Sequence, residues 1–170
     1  MFKSNEKILK LLKERLENLF GANIISIEMI KDMPVFVVNK EIIIELLQYI
    51  YNEEDLQFCF LTTLCGVHYP DSKEQFGVVY HLHSFKNNQR IRIKTFTEDK
   101  NPVFKTATTV FSTANWMERE TYDFFGIIFE GHPNLKRILN VEDMDYFPLR
   151  KEYPLEDATR DDKDDKMFGR

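Results

Sequence analysis

The chain has 170 residues, 43% of them hydrophobic and 30% charged, with a formal net charge of -5. That length accommodates one domain with a sizeable core. The acidic balance argues against a nucleic-acid binder, which needs a net basic face, and it is too small for a disordered acidic protein. Fifteen phenylalanines point to a Phe-rich core, with aromatic surface reserved for a partner as the alternative.

Residues 4–20 are predicted to form an amphipathic helix. Ser4 is the candidate cap, Ile8, Leu11, Leu12, Leu16 and Leu19 recur at helical spacing, and Gly21 stops the helix. Its charged sequence has no uninterrupted apolar stretch, so no signal peptide is expected. Short apolar runs at 24–30 and 35–38 flank Asp32-Met33-Pro34 as a hairpin. Residues 40–54 predict a second helix burying Ile43, Leu46, Leu47 and Ile50. The period then changes. Segments 56–69, 76–85 and 90–97 predict three strands separated by turn-rich stretches. Phe76, Val78, Tyr80 and Leu82 share one face of the second of these strands, and His81 and His83 the other. Ile91 and Ile93 oppose Arg90, Arg92 and Lys94 in the third, an alternation expected of antiparallel strands covered on one face. A third helix is predicted at 113–125, ended by Gly126. Beyond it, 127–155 has no clear period, and 156–170 is a charged stretch expected to be a mobile tail.

The expected fold is therefore α+β, a mixed or antiparallel sheet with helices packed on it, followed by an extended irregular C-terminal segment. Residues 1–126 form the predicted core domain. No segment has the roughly 18 consecutive apolar residues of a membrane span. Cys59 and Cys65 would lie about 20 Å apart on a continuous strand, too far for a disulfide, which suits a soluble protein in a reducing compartment or one held at a membrane only through partners.

Chemistry is sparse. His81 and His83 could chelate a metal, but a site needs a third or fourth ligand and supporting hydrogen bonds, and no local cluster supplies them. They are expected to be exposed sheet-face histidines. The stripe of Arg90, Arg92 and Lys94 could track phosphates, but is expected to be a solvated strand face. No phosphate loop, dinucleotide fingerprint or nucleophile elbow is present. A binding or assembly component fits better than an enzyme active site.

The third helix, within "NWMERETYDFFGI", poses one problem. At about 100° per residue, Glu120 lies roughly 40° from Trp116, between it and Phe124 at roughly 80° and Met117 at roughly 100°. Arg119 and Asp123 are spaced to pair on the outer surface, and Glu118 stacks with Tyr122. An unpaired carboxylate in the aromatic arc would cost several kcal/mol or become protonated. Either a cation reaches Glu120, the candidates being Lys136, Arg137 and Arg150, and a buried pair pins the C-terminal third onto the helix; or Glu120 belongs to a protein–protein seam.

Residues 114–139, "ANWMERETYDFFGIIFEGHPNLKRIL", resemble the signature of the thirty-kilodalton or C subunit of respiratory complex I, the proton-pumping NADH:quinone oxidoreductase. The resemblance runs through Glu118-Arg119-Glu120, Asp123, Phe125-Gly126, Gly131-His132-Pro133 and Leu135 to Leu139, including Arg137. It resumes at Pro148-Leu149-Arg150-Lys151-Glu152-Tyr153-Pro154. Tyr146 and Phe147 stand where the family usually has Gly-His, so no role for that pair is carried over.

The resemblance implies a structural subunit without catalytic residues, cofactor or metal of its own. FMN and iron–sulfur clusters are then expected in other subunits of the complex. It implies packing against the D subunit, which helps form the quinone pocket, and against neighbouring cluster-bearing subunits. The place implied is the cytoplasmic side of a bacterial inner membrane, with attachment only through the complex. The 127–155 segment is expected to bind the partner. A homologous subunit of a membrane-bound hydrogenase or related energy-converting dehydrogenase is the alternative. A small metal-dependent hydrolase and a nucleic-acid-binding sheet are the rivals from other classes.

Overall fold

The computed structural model describes residues 2–31 and 33–154, with side chains of the first helix from Lys10 onward. Helix α1 begins at Phe2, so Ser4 lies within its first turn and does not cap it; the side chain of Ile8 and the tail 156–170 fall outside the described residues.

Helix α1 (Phe2–Phe20) leads through Gly21, at φ 50°, into the hairpin β1 (Ile24–Ile30) and β2 (Met33–Val38). Helix α2 (Ile43–Asn52) follows a short 3-10 turn, Lys40–Ile42. Its Ile43, Leu46, Leu47 and Ile50 are fully buried, the i, i+3, i+4, i+7 face expected from periodicity. Strands β3 (Phe60–His68), β4 (Phe76–Ser84) and β5 (Gln89–Thr97) come next. β3 begins four residues later than its apolar run suggests. Leu56 and Phe58 are fully buried, but they reach the core from a turn in which the Phe58 N–H donates to Ile50 O.

The five strands lie in the order β1-β2-β5-β4-β3. All neighbours are antiparallel except β2 and β5, which run parallel with Phe36 opposite Ile93. The sheet is thus mixed, and the α+β expectation holds. Phe36, Val78, Tyr80, Leu82, Ile91 and Ile93 form the covered face, and all three helices contribute to the same core cluster upon it. Burying one face of the sheet supplies the main driving force for this arrangement.

A second, two-stranded parallel sheet joins β6 (Val103–Lys105) to β7 (Ile128–Glu130), with helix α3 (Ala114–Phe125) as the crossover. Phe104, Ile127 and Phe129 are buried, so the core extends past Gly126. Three-residue strands carry too little alternation for periodicity to reveal them. Among the described residues no helix is long and apolar enough to cross a membrane. Cys59 and Cys65 are free and exposed.

Candidate functional site

Helix α3 turns a face of small and acidic residues to the core. Ala114, Glu118 and Thr121 are buried on it. Set at helical angles, they centre roughly opposite Trp116. Thr121 and Phe125 approach β3 so closely that a Cβ on Gly66 would come within 2.9 Å of one and 2.7 Å of the other. The aromatic arc is therefore the outer side: Trp116 is 61% exposed, and Glu120 is exposed with it. Of the two readings of Glu120, the buried pair with a cation fails, because that arc faces away from the core. Two other carboxylates of the motif are buried instead.

Glu118 is fully buried. It accepts hydrogen bonds from Thr106 Oγ1 and from the Ala107 N–H, both at 2.6 Å. The Thr106 N–H in turn donates to Glu130 O, beside β7. One carboxyl thus ties the chain entering α3 to the helix itself, rather than stacking with Tyr122. Burial pushes its pKa up to about 7, against the opposing hydrogen bonds from Thr106 and Ala107.

Asp123 anchors the chain leaving α3. The expected surface pair with Arg119 does not form; Asp123 is buried and takes Arg137 at 2.8 Å. Its Oδ2 accepts from three consecutive N–H groups, Ile138 at 3.1 Å, Leu139 at 2.8 Å and Asn140 at 2.9 Å. Oδ1 also accepts from Asn140 Nδ2 at 3.0 Å. Consecutive N–H groups converging on one oxygen make an anion nest. Burial would raise this pKa, but the N–H groups of Asn140 and Leu139, the Arg137 guanidinium and the Ile138 N–H together hold it well below the usual carboxylate range. Arg137 also donates to Asp123 O, Met144 O and Tyr146 O, gathering residues 137–146 around one guanidinium. The buried acid–arginine pair pinning the C-terminal segment thus exists, built on Asp123.

The remaining motif residues extend this clamp. Arg119 lies over Trp116 and donates to Lys136 O and Arg137 O. His132 bonds Asn115 O through Nε2 and accepts the Asn134 N–H at Nδ1, which makes it the Nε2–H tautomer. It sits between Gly131, at φ 83°, and the exposed Pro133. Gly126 caps α3 at φ 71°. A Cβ there would meet Phe147 at 2.5 Å and Arg150 at 2.7 Å, so both conformation and space require glycine.

Arg150 donates to Phe125 O at 2.7 Å and stacks over Phe76 and Phe147. The Leu149 N–H bonds Phe124 O, and the Lys151 N–H bonds His68 Nδ1. Pro148 is half-buried and Pro154 exposed at either end of this stretch. Phe147, one of the two departures from the family pattern, fills the space between the guanidiniums of Arg137 and Arg150, with ring centroid distances of 5.0 and 4.8 Å. Tyr146 supplies a carbonyl to Arg137 and packs its ring on Tyr153.

A signal for Glu118 was present in the sequence. Ala114, Glu118, Thr121 and Phe125 fall at i, i+4, i+7 and i+11, a face narrow enough for close helix–strand contact. Large aromatics alone misdirect the choice of face. The burial of Asp123 had no such signal, since its cover comes from residues 137–140. His81 engages differently again: its Nε2 accepts the Arg92 Nε–H at 2.7 Å, so that lone pair is occupied. Among the described residues no three His, Cys, Asp or Glu side chains group as a metal site. The polar groups around α3 are directed to the chain itself.

The family described as "Respiratory-chain NADH dehydrogenase, 30 Kd subunit" matches residues 36–159. The NADH-quinone oxidoreductase C subunit of Methylobacterium sp. (strain 4-46) is 39% identical over 147 residues, 86% of this chain and 68% of its own length. The corresponding C subunit of Roseiflexus sp. (strain RS-1) is 45% identical over 130 residues, 76% of this chain and 74% of its own. Among solved structures, the trypsin-resistant fragment (1-134) of Nqo5 aligns with a TM-score of 0.59 at 29% identity, over 78% of this chain and 99% of the fragment. A chain of the membrane-bound sulfane sulfur reductase, an archaeal respiratory membrane complex, shares the fold with a TM-score of 0.73 at 21% identity, over 88% and 86% of the two chains.

Proposed function

The chain belongs to the family of the 30 Kd subunit of respiratory-chain NADH dehydrogenase, and from that premise we propose that it is a non-catalytic structural subunit of the peripheral arm of complex I. In this reading it packs against the D subunit near the quinone module and supports electron transfer from NADH to quinone. FMN and iron–sulfur clusters belong to other subunits, and the chain is held at the cytoplasmic side of a bacterial inner membrane through the complex.

The observation that carries the reading is the outer surface of α3 and its wrap. The segment 131–154 lacks regular structure, yet Asp123, Arg137 and Arg150 fasten it in place. With its backbone so ordered, it still presents Leu139 at 67% and Val141 at 63% exposure on the same motif-bearing segment that follows Trp116. Large apolar side chains held rigid on a surface, next to arginines, are what a protein partner buries. A loop built for solvent would gain nothing from such fixing.

The test is assembly. Leu139→Asp and Val141→Asp alter exposed positions and leave the hydrogen bonds of the clamp in place. Isolating the complex from cells carrying either variant is expected to show the D subunit lost from the pull-down of this chain, while the chain itself melts as before. Normal retention of the D subunit in both variants would defeat the proposal. A co-purifying large subunit with nickel-ligating cysteines would assign the chain to a hydrogenase-type complex instead.

A further inference from the structure

The face of the five-stranded sheet turned away from the helices carries features that neither the core nor the clamp uses. β5 presents Arg90, Arg92 and Lys94 there at alternate positions. The register sets His83 opposite Arg90, His81 opposite Arg92 and Val79 opposite Lys94. Beyond β5, β2 brings only Val35 and Val37 alongside Arg92 and Lys94. The acidic residue nearest in register is Glu28, one strand further out, opposite Val35. Among the described residues the three cations form no ion pair. Like charges at successive same-face positions repel. The repulsion is concentrated here although the chain as a whole is acidic, at -5.

His81 adds no charge to the stripe at neutral pH. It accepts from Arg92, and burial together with Arg92 and Lys94 lowers its pKa. Its Nδ1, which carries the proton in that tautomer, is buried without a hydrogen-bond partner. His81 thus leaves one donor unused on this face, beside strands that bring no carboxylate nearer in register than Glu28. At one end of the stripe, Phe60 lies opposite His83. Phe85 is 64% exposed and packs its ring 5.3 Å from that of Phe60 and 4.8 Å from His83. Exposed aromatics beside arginine are the composition of an interface centre.

We propose that this face is a docking surface for an acidic segment of another subunit of the complex. Carboxylates of the partner meet Arg90, Arg92 and Lys94, and an apolar side chain seats on Phe60 and Phe85. The inference rests on the assembly reading above, but it uses the side of the sheet away from α3. The chain then joins two neighbours, one at the wrap and one at the sheet face that carries exposed Arg90, Phe60 and Phe85.

A photo-reactive benzoyl-phenylalanine placed at position 85, and in a second full-length chain at position 139, tests both readings in the assembled complex. Position 85 is expected to capture an Asp/Glu-rich segment of another subunit. Combining it with Arg90→Glu and Lys94→Glu should lower that yield at least about tenfold, because close charge pairs across interfaces are strongly coupled, while capture from position 139 is unchanged. Capture at 139 with none at 85, or with nucleic acid, a second copy of this chain or a carboxylate-free segment at 85, overturns the docking face and leaves the assembly reading standing. Capture of a subunit from neither position overturns both.

Discussion

Asp123→Asn changes one oxygen to an amide nitrogen at the most heavily bonded side chain among the described residues. The carboxylate accepts five hydrogen bonds, from Arg137, three backbone N–H groups and Asn140 Nδ2. An asparagine can satisfy one side of this set with its carbonyl. Its NH2 must then face donors, and Arg137 is left buried without a counter-charge. Removing one partner of a buried ion pair costs about 3–5 kcal/mol, a large share of the roughly 5–15 kcal/mol that stabilises a domain. For a chain of this size the expected fall in Tm is about 6–20 °C. The damage should be local first. Cleavage by trypsin at Lys136, Arg150 and Lys151 is expected to accelerate while the sheet core survives. In a double-mutant cycle with Arg137→Met, the two changes together should cost less than their sum by at least about 1.5 kcal/mol, as directly bonded partners do. A Tm shift below about 2 °C in the purified full chain, with unchanged cleavage, would refute the clamp. The pH dependence has a definite sign. The folded pKa of Asp123 is depressed, so its contribution is complete above the unfolded carboxyl value and is lost as pH falls through that value towards the folded one.

Glu118 has the opposite sign. Its folded pKa of about 7 lies above the ordinary 4.5, so between these values the native state holds the extra proton and stability falls as pH rises, by at most on the order of 3 kcal/mol. Urea midpoints measured from pH 4.5 to 8 should show this slope, and Glu118→Gln, which can keep both hydrogen bonds, should flatten it. Gly126→Ala should destabilise by at least about 2 kcal/mol, since the left-handed conformation and the contact with Phe147 both oppose a Cβ; an unchanged thermal melt would contradict the packing. Phe147→Ala removes the ring between two guanidiniums and should cost about 2 kcal/mol by calorimetry, with faster cleavage after Arg150 as its local sign.

Much of the fold was legible because it is written in local repetition. The α2 face from Ile43 to Ile50, the alternation in β4 and β5, and the glycine at the end of α3 depend on nearest neighbours and on backbone geometry, which a sequence displays directly. The family too was legible, from two motif blocks in order. The parallel pairing of β2 with β5 and the strands β6 and β7 were not, since neither a pairing of distant segments nor a three-residue strand leaves a periodic trace. The sharpest divergence concerns α3. Sequence alone supplied a carboxylate-rich helix followed by arginines, and with it the idea of a buried acid–arginine pair. Which acid is buried was decided by the tertiary structure. The close approach of β3 at Gly66 selects the narrow face of Ala114, Glu118 and Thr121, leaving Trp116 and Glu120 outside. The returning chain then covers Asp123. A helix by itself has no inside; the size of the gap it must fill, and the segment that comes back over it, determine which of its charges lose water and must find partners.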